Sequence, residues 1–173
     1  MEGRLQAAGR PFQTAPQGPL FRSLSAKKRR PLNKRGRESA KTMAAYLRRA
    51  RISPDVVVCS TALRAKQTLE PIANAIKPPR VTFESRIYGV AQPELLKYLR
   101  GLPESVECAL LIGHNPGLHD LALALADAKS RKHLPPAEGK FPTGAMATFR
   151  FDGAWKELRS NGATVLSFTS PKK

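Results

Sequence analysis

The amino-acid sequence predicts an α/β domain whose sheet is mostly parallel, mixed at one side, and flanked by helices. Three observations predict it. The runs "DVVVC" and "ECALLIG" are apolar without alternation, each is followed by a stretch with helical periodicity, and the chain ends on "GAMATFRF" and "ATVLSFTS". Unbroken apolar runs suit strands covered on both faces, as in a parallel sheet. Strand and helix taking turns place that sheet between helices.

The elements follow in order. Residues 1–30 hold Pro11, Pro16, Pro19 and scattered Arg and Gln, with no period longer than "PLFRSL". Such a composition buries little apolar surface, so residues 1–29 are read as a disordered basic segment preceding a domain at 30–173. An organelle transit peptide is the alternative for this acid-poor stretch. In "RPLNKRGRESAKTMAAYLRRARI", Ala40, Met43, Ala44 and Leu47 recur at i, i+3, i+4, i+7, one helical face, with Asn33 as amino cap. "SPD" ends it. After "DVVVC", the segment "STALRAKQTLEPIANAI" aligns Ala62, Ala65, Leu69, Ile72, Ala73 and Ile76 on one stripe. Ser60 or Thr61 is expected to cap this helix and Pro71 to kink or divide it. "RVTFE" then reads as a strand, "PELLKYLRGL" as a helix, "ECALLIG" as a strand, and "PGLHDLALALA" as a helix with Pro116 in its first position. Past a polar loop at 128–142, Ala147, Phe149 and Phe151 alternate on one face. "ATVLSFTS" pairs with that strand across the turn near "NG", which adds antiparallel strands.

At 173 residues the chain suffices for one domain, or one domain and a tail. The formal charge of +17 is unevenly spread: residues 1–51 carry 14 basic and 2 acidic side chains, residues 52–173 carry 16 and 11. The basic amino third has no interleaved aromatics and no recognition module, so contact with nucleic acid or acidic lipid is expected to be nonspecific. Cys59 and Cys108 make neither a disulfide framework nor a zinc site and fit a reducing cytoplasm. No apolar run reaches the ~20 residues of a membrane span.

Ligands of open α/β sheets settle where strands end and helices begin, and the amino ends of helices attract anions. Ser60, Thr61 and Arg64 stand at one such place; His114 and Asn115 stand at another. A phosphate is the natural guest, with Arg64 as a bidentate donor. "CSTALR" also invites comparison with cysteine phosphatases, but Arg64 follows Cys59 by five positions, one short of the six those enzymes use. Cys59 is therefore read as a buried strand residue.

The segments "RPLNKRG", "CSTALRAKQT", "IGHNPG" and "FPTGAMATFRFDGAW" stand in this order. With them the chain resembles the histidine phosphatase superfamily, specifically its short SixA-type phosphohistidine phosphatase branch, over roughly residues 30 to 170. The resemblance implies a three-layer α/β/α sandwich of phosphoglycerate mutase type. It implies a mechanism in which one histidine attacks phosphorus while two arginines and a second histidine hold the oxygens. Arg64 matches the second arginine and His114 the second histidine, with Ser60 and Asn115 beside them as phosphate-binding candidates. Glu84 stands where many members carry a proton donor, against the alternative of a solvated carboxylate. Neither metal nor cofactor is implied, and the substrate class is a phosphorylated protein or a small phosphate ester.

One departure matters. The family's nucleophile closes the first strand in an Arg-His-Gly or Arg-His-Ala segment, whereas the histidines here are His114, His119 and His133. No residue is assigned as nucleophile; Ser23 in "LFRSLSA" is the nearest echo. The first strand is expected to be degraded or absent. Either a frameshift, an exchanged leader or a misassigned start, or a natural degenerate paralogue, would account for this. The expectation is thus a phosphatase fold without its nucleophile, with a non-catalytic phosphate or phosphoprotein binder as the alternative. His119 is read as a surface or interface residue, His133 as a partnerless loop residue, and Trp155 and Phe149 as core.

Overall fold

A computed structural model describes residues 10–15, 24–139 and 141–171, with the backbone alone considered for 10–15 and 24–26. Six strands form one sheet: β1 (Arg10–Ala15), β2 (Val56–Ser60), β3 (Val81–Glu84), β4 (Ala109–His114), β5 (Met146–Arg150) and β6 (Thr164–Thr169), in the order β3-β2-β4-β1-β5-β6. Strands β3, β2, β4 and β1 run parallel; β5 and β6 are antiparallel additions. The helices are α1 (Leu24–Arg29), α2 (Lys34–Arg49), α3 (Leu63–Ile76), α4 (Gln92–Arg100) and α5 (Gly117–Leu125).

Successive strand residues face opposite sides, and the two core clusters follow that alternation. Val57 and Cys59 of β2 and Leu110 and Ile112 of β4 pack with Met43, Leu47, Leu69 and Ile72 of α2 and α3. Val56, Val58, Ala109 and Leu111 pack on the other side with Leu95, Leu99, Leu118, Leu121 and Leu125 of α4 and α5. Helices therefore cover both faces, which explains why every residue of β2 and β4 is buried. Each large side chain so enclosed contributes roughly 1.5–3 kcal/mol. Phe149 and Trp155 lie in the second cluster, and the Trp155 indole N–H donates to the Val106 carbonyl at 2.5 Å.

Local chemistry sets the element ends. The Asn33 side chain accepts from the Gly36 N–H at 2.8 Å and caps α2 as expected. The "RPLN" turn is tied down by Leu32, whose N–H donates to Gln67 Oε1 at 2.7 Å while its carbonyl accepts from Arg37 Nη1 at 2.6 Å.

Four expectations are corrected. Residues 1–29 are not disordered throughout: Arg10–Ala15 is a strand between β4 and β5, and Leu24–Arg29 is a helix. Pro11 and the polar Gln13 and Thr14 hide the strand from hydrophobic patterning. A central ladder position needs extended backbone, and its neighbours' N–H and C=O groups on both sides reward any chain that supplies it. Helix α3 runs through Pro71 undivided, held by Leu69 and Ile72 on its buried face. Its cap residue is Ala62 with no side-chain bond, since Ser60 and Thr61 lie outside the capping position. Pro116 precedes α5 as its cap, after a cis Asn115–Pro116 bond, and Gly117 is the first helical residue.

Strand β3 is one of the two edges, β6 being the other, and carries the most open large hydrophobic side chain of the described residues, Phe83 at 51% exposure. No helix of the described residues is long and apolar enough to cross a membrane.

Gly117 packs directly against the Val90 carbonyl oxygen, and a Cβ at that position would fall on the oxygen. This contact seats the 113–117 turn against the segment containing Tyr88. Gly117→Ala is therefore expected to cost about 2–3 kcal/mol, read as a lower urea midpoint. Gly101→Ala, whose Cβ would meet Tyr98 O at an ordinary 3.4 Å, should cost under about 1 kcal/mol.

Candidate active site

Parallel pairing of β2 with β4 brings both carboxyl ends to one edge of the sheet, with Cys59 beside Ile112. Ser60 closes β2 and His114 closes β4. Their side chains meet: Ser60 Oγ lies 2.8 Å from His114 Nε2, and both residues are buried. Ser60 Oγ also accepts from the Ala62 N–H at 3.4 Å. In the tautomer in which the Ser60 hydroxyl donates to Nε2, the imidazole proton sits on Nδ1.

The other walls come from α3 and the turn after β3. The Tyr88 ring meets the His114 imidazole edge-on, centroids 5.0 Å apart at 82°. Arg64 lies with Cζ 5.6 Å from the Tyr88 centroid, and its Nη1 donates to the Lys27 carbonyl at 2.9 Å. Helix α1 thereby tethers the guanidinium. Strand β1 places Ala15 in register with His114 on its other side.

Four buried polar atoms here have no hydrogen-bond partner among the described residues: Thr61 Oγ1, Arg64 Nε, His114 Nδ1 and Asn115 Oδ1. Each such group costs about 1–3 kcal/mol when left alone, so their clustering at one sheet edge marks a place built for something else. Three of them can donate, His114 Nδ1 in the tautomer in which Ser60 donates to Nε2. Arg64 Nε, Thr61 Oγ1 and His114 Nδ1 together suit an oxyanion.

Asn115 differs, because its amide nitrogen donates to the Phe141 carbonyl at 3.2 Å and its open atom is an acceptor. It ties a loop to the site, and its open oxygen does not suit an anion. Ser60 holds the imidazole, its hydroxyl engaged by His114 Nε2 and by the Ala62 N–H. Glu84 is in register with Ser60, but its carboxylate is engaged by Arg86, accepting from the guanidinium at 2.7 Å and from the backbone N–H at 2.9 Å. Those bonds hold its carboxyl below the usual range, so Glu84 is an ionised ion-pair partner and a poor proton donor.

Burial, followed by the nearby Arg64 cation, pushes the His114 pKa down to about 3. The imidazole is neutral at pH 7. Cys59 is pushed the opposite way, to about 12, by burial against the pull of Lys66. Its thiol is inert, consistent with its reading as a strand residue.

Tyr88 and the α1 carbonyl were not legible as site components, because Tyr88 sits in a short polar turn without periodicity and a backbone carbonyl leaves no mark in the sequence. Ser23, the echo of the family nucleophile, lies outside the described residues. His119 is buried, stacked 4.5 Å from Phe141; the surface reading is corrected because α5 turns that position toward the core, where Phe141 covers it. His133 lies in a short 3-10 turn, exposed.

The family model described as histidine phosphatase superfamily (branch 1) matches residues 21–87, a stretch holding Ser60, Arg64 and Glu84. An uncharacterized protein of Mycobacterium tuberculosis is 32% identical over 148 residues, 83% of this chain and 90% of that protein. The chain belongs to the histidine phosphatase superfamily. Among solved structures, a protein assigned as phosphohistidine phosphatase SixA from Nakamurella multipartita is similar with a TM-score of 0.75 at 28% identity, covering 96% of this chain and 99% of the other. A protein histidine phosphatase SixA complexed with tungstate shares the fold with a TM-score of 0.71 at 24% identity, covering 93% and 97%. The chain thus has the three-layer, phosphoglycerate mutase-like sandwich that the resemblance implied, and its match to SixA proteins runs nearly end to end.

A histidine that titrates near 6.5 when unfolded and near 3 when folded binds fewer protons in the native state between those values. Its contribution to stability is complete above pH 6.5 and is lost as pH falls toward 3. Between pH 7.5 and pH 5 the loss is about 2 kcal/mol. Urea titrations of wild type and His114→Gln at those two pH values should differ by that amount, with wild type the more pH-sensitive. Identical sensitivity would show that His114 is not a buried neutral imidazole.

Proposed function

We propose that this histidine phosphatase-fold chain binds phosphoryl groups of the phosphohistidine class on proteins, and does not turn them over by the covalent route of its family. The observation that carries the reading is that Arg64 and His114, which share the Tyr88 ring as a neighbour, each keep a buried nitrogen unpaired among the described residues, Arg64 Nε and His114 Nδ1, as Thr61 keeps its Oγ1. An arginine and an Nδ1–H imidazole form half of a clamp for a tetrahedral oxyanion. The tungstate held by a SixA protein of the same fold is such an anion.

The nucleophile is the missing half. Where the family closes its first strand with a histidine, β1 places Ala15 beside His114. All three histidines of the chain lie at or after position 114. Without a nucleophile no phosphoenzyme forms, and water alone must attack phosphorus. A bound dianion would also raise the basicity of the buried imidazole, so binding takes up protons. Two buried cysteines without a disulfide fit a reducing cytoplasm as the compartment.

Calorimetric titration with orthovanadate and with inorganic phosphate tests this. Saturable binding is expected, weakened roughly 10- to 100-fold by Arg64→Ala and about tenfold by His114→Ala. Hydrolysis of para-nitrophenyl phosphate should stay at the rate of buffer alone. Equal affinity in wild type and both variants would remove the phosphoryl site. Turnover that Arg64→Ala abolishes would replace the binder with a working phosphatase, the second reading its fold supports.

A further inference from the structure

A cleft of about 410 Å³ opens beside the phosphoryl site, lined by Lys28, Arg29, Thr61, Leu63 and Lys66. Thr61 joins the two, since it follows Ser60 and its unpaired buried Oγ1 is one of the three donors described above. Lys28 lies with Nζ 5.7 Å from the Tyr88 ring, the same ring that meets His114 edge-on. The cleft and the site therefore share a wall.

Its charge is of one sign. Three cationic side chains line it with no carboxylate among them. None of the three is in an ion pair among the described residues, whose ion pairs are Lys41–Glu38, Arg86–Glu84 and Lys156–Glu104. Like charges gathered on a rim without counter-charges repel one another and are stabilised by an acidic occupant. Leu63, 39% exposed, adds an apolar foothold. Arg64 Nη1 on the Lys27 carbonyl holds α1 against α3, so the cleft is anchored.

The geometry points to a subsite for an acidic stretch of polypeptide flanking the phosphorylated residue, read by Lys28, Arg29 and Lys66. This rests on the phosphoryl-binding reading and narrows it: the partner is a phosphoprotein with aspartate or glutamate next to its phosphoryl group. A small phosphate ester would leave the cleft empty.

The test is fluorescence anisotropy with labelled ten-residue peptides carrying a non-hydrolysable phosphohistidine analogue, flanked by four aspartates or by four asparagines. The same two peptides without the phosphoryl group, and a twelve-residue oligoadenylate, complete the set. The aspartate peptide should bind about tenfold tighter than the asparagine peptide, and 0.5 M salt should erase the difference. Lys28→Gln, Arg29→Gln and Lys66→Gln combined should reduce the preference to within about twofold while the asparagine peptide binds as before. Equal affinity for the two flanks, a preference that survives the triple variant, or oligoadenylate binding as tightly as the aspartate phosphopeptide would each overturn the subsite. The unphosphorylated pair reads the cleft alone. Vanadate binding with no flank preference removes this inference only, whereas a flank preference without any gain from the phosphoryl group removes the phosphoryl reading and keeps the basic cleft as a site for acidic peptide.

Discussion

The hydrogen bond between Ser60 Oγ and His114 Nε2, 2.8 Å long across the ends of two adjacent buried strands, is the interaction on which the candidate site depends. It requires β2 and β4 to be parallel neighbours in their observed register, because a slip of one residue would turn one of the two side chains to the opposite face. It also fixes the imidazole. With Nε2 engaged, the ring presents Nδ1 as its open atom, a donor in the tautomer in which Ser60 donates to Nε2.

Around that bond the molecule holds polar groups in a state that folding alone does not favour. Thr61 Oγ1, Arg64 Nε and His114 Nδ1 are buried without partners, and the imidazole is kept neutral by burial and by the guanidinium. Such an arrangement is stable because rigid elements surround it: Tyr88 lies against the ring, the Lys27 carbonyl tethers Arg64, and Gly117 on the Val90 carbonyl fixes the turn. Donors held in place before an anion arrives need no reorganisation to receive it. The same rigidity extends outward, since the α1 backbone that tethers Arg64 also carries the lysine and arginine of the neighbouring basic cleft.

The legible parts of the chain were those where one physical signal dominates. Strands β2 and β4 announced themselves because burial on both faces leaves "VVVC" and "ALLI" without polar interruption. The α2 cap was visible in Asn33, a local effect spanning three residues. Arg64, His114 and Ser60 stood out because strand ends before helices are where anions bind, and the fold brings all three to one end of the sheet. Strand β1 was hidden because its place is decided by unpaired ladder groups on β4 and β5, not by its own hydrophobicity. Pro71 failed as a breaker because α3 is held by its buried face. The pairing of the Glu84 carboxylate with Arg86, two residues on, was not legible because it depends on the turn after β3.

The sequence by itself determined the alternation of strand and helix, the mixed character of the sheet, and which strand ends bear polar residues suited to an anion. These follow from hydrophobic period and local chemistry, which act over a few residues. Only the tertiary structure decided that Ser60 would hold an imidazole instead of a phosphate, that Tyr88 would line the site, and that α1 would pin Arg64 and open a basic cleft beside it. Those outcomes depend on contacts between segments 26 to 54 residues apart, where packing of buried strands and helices, not local preference, fixes which side chains meet.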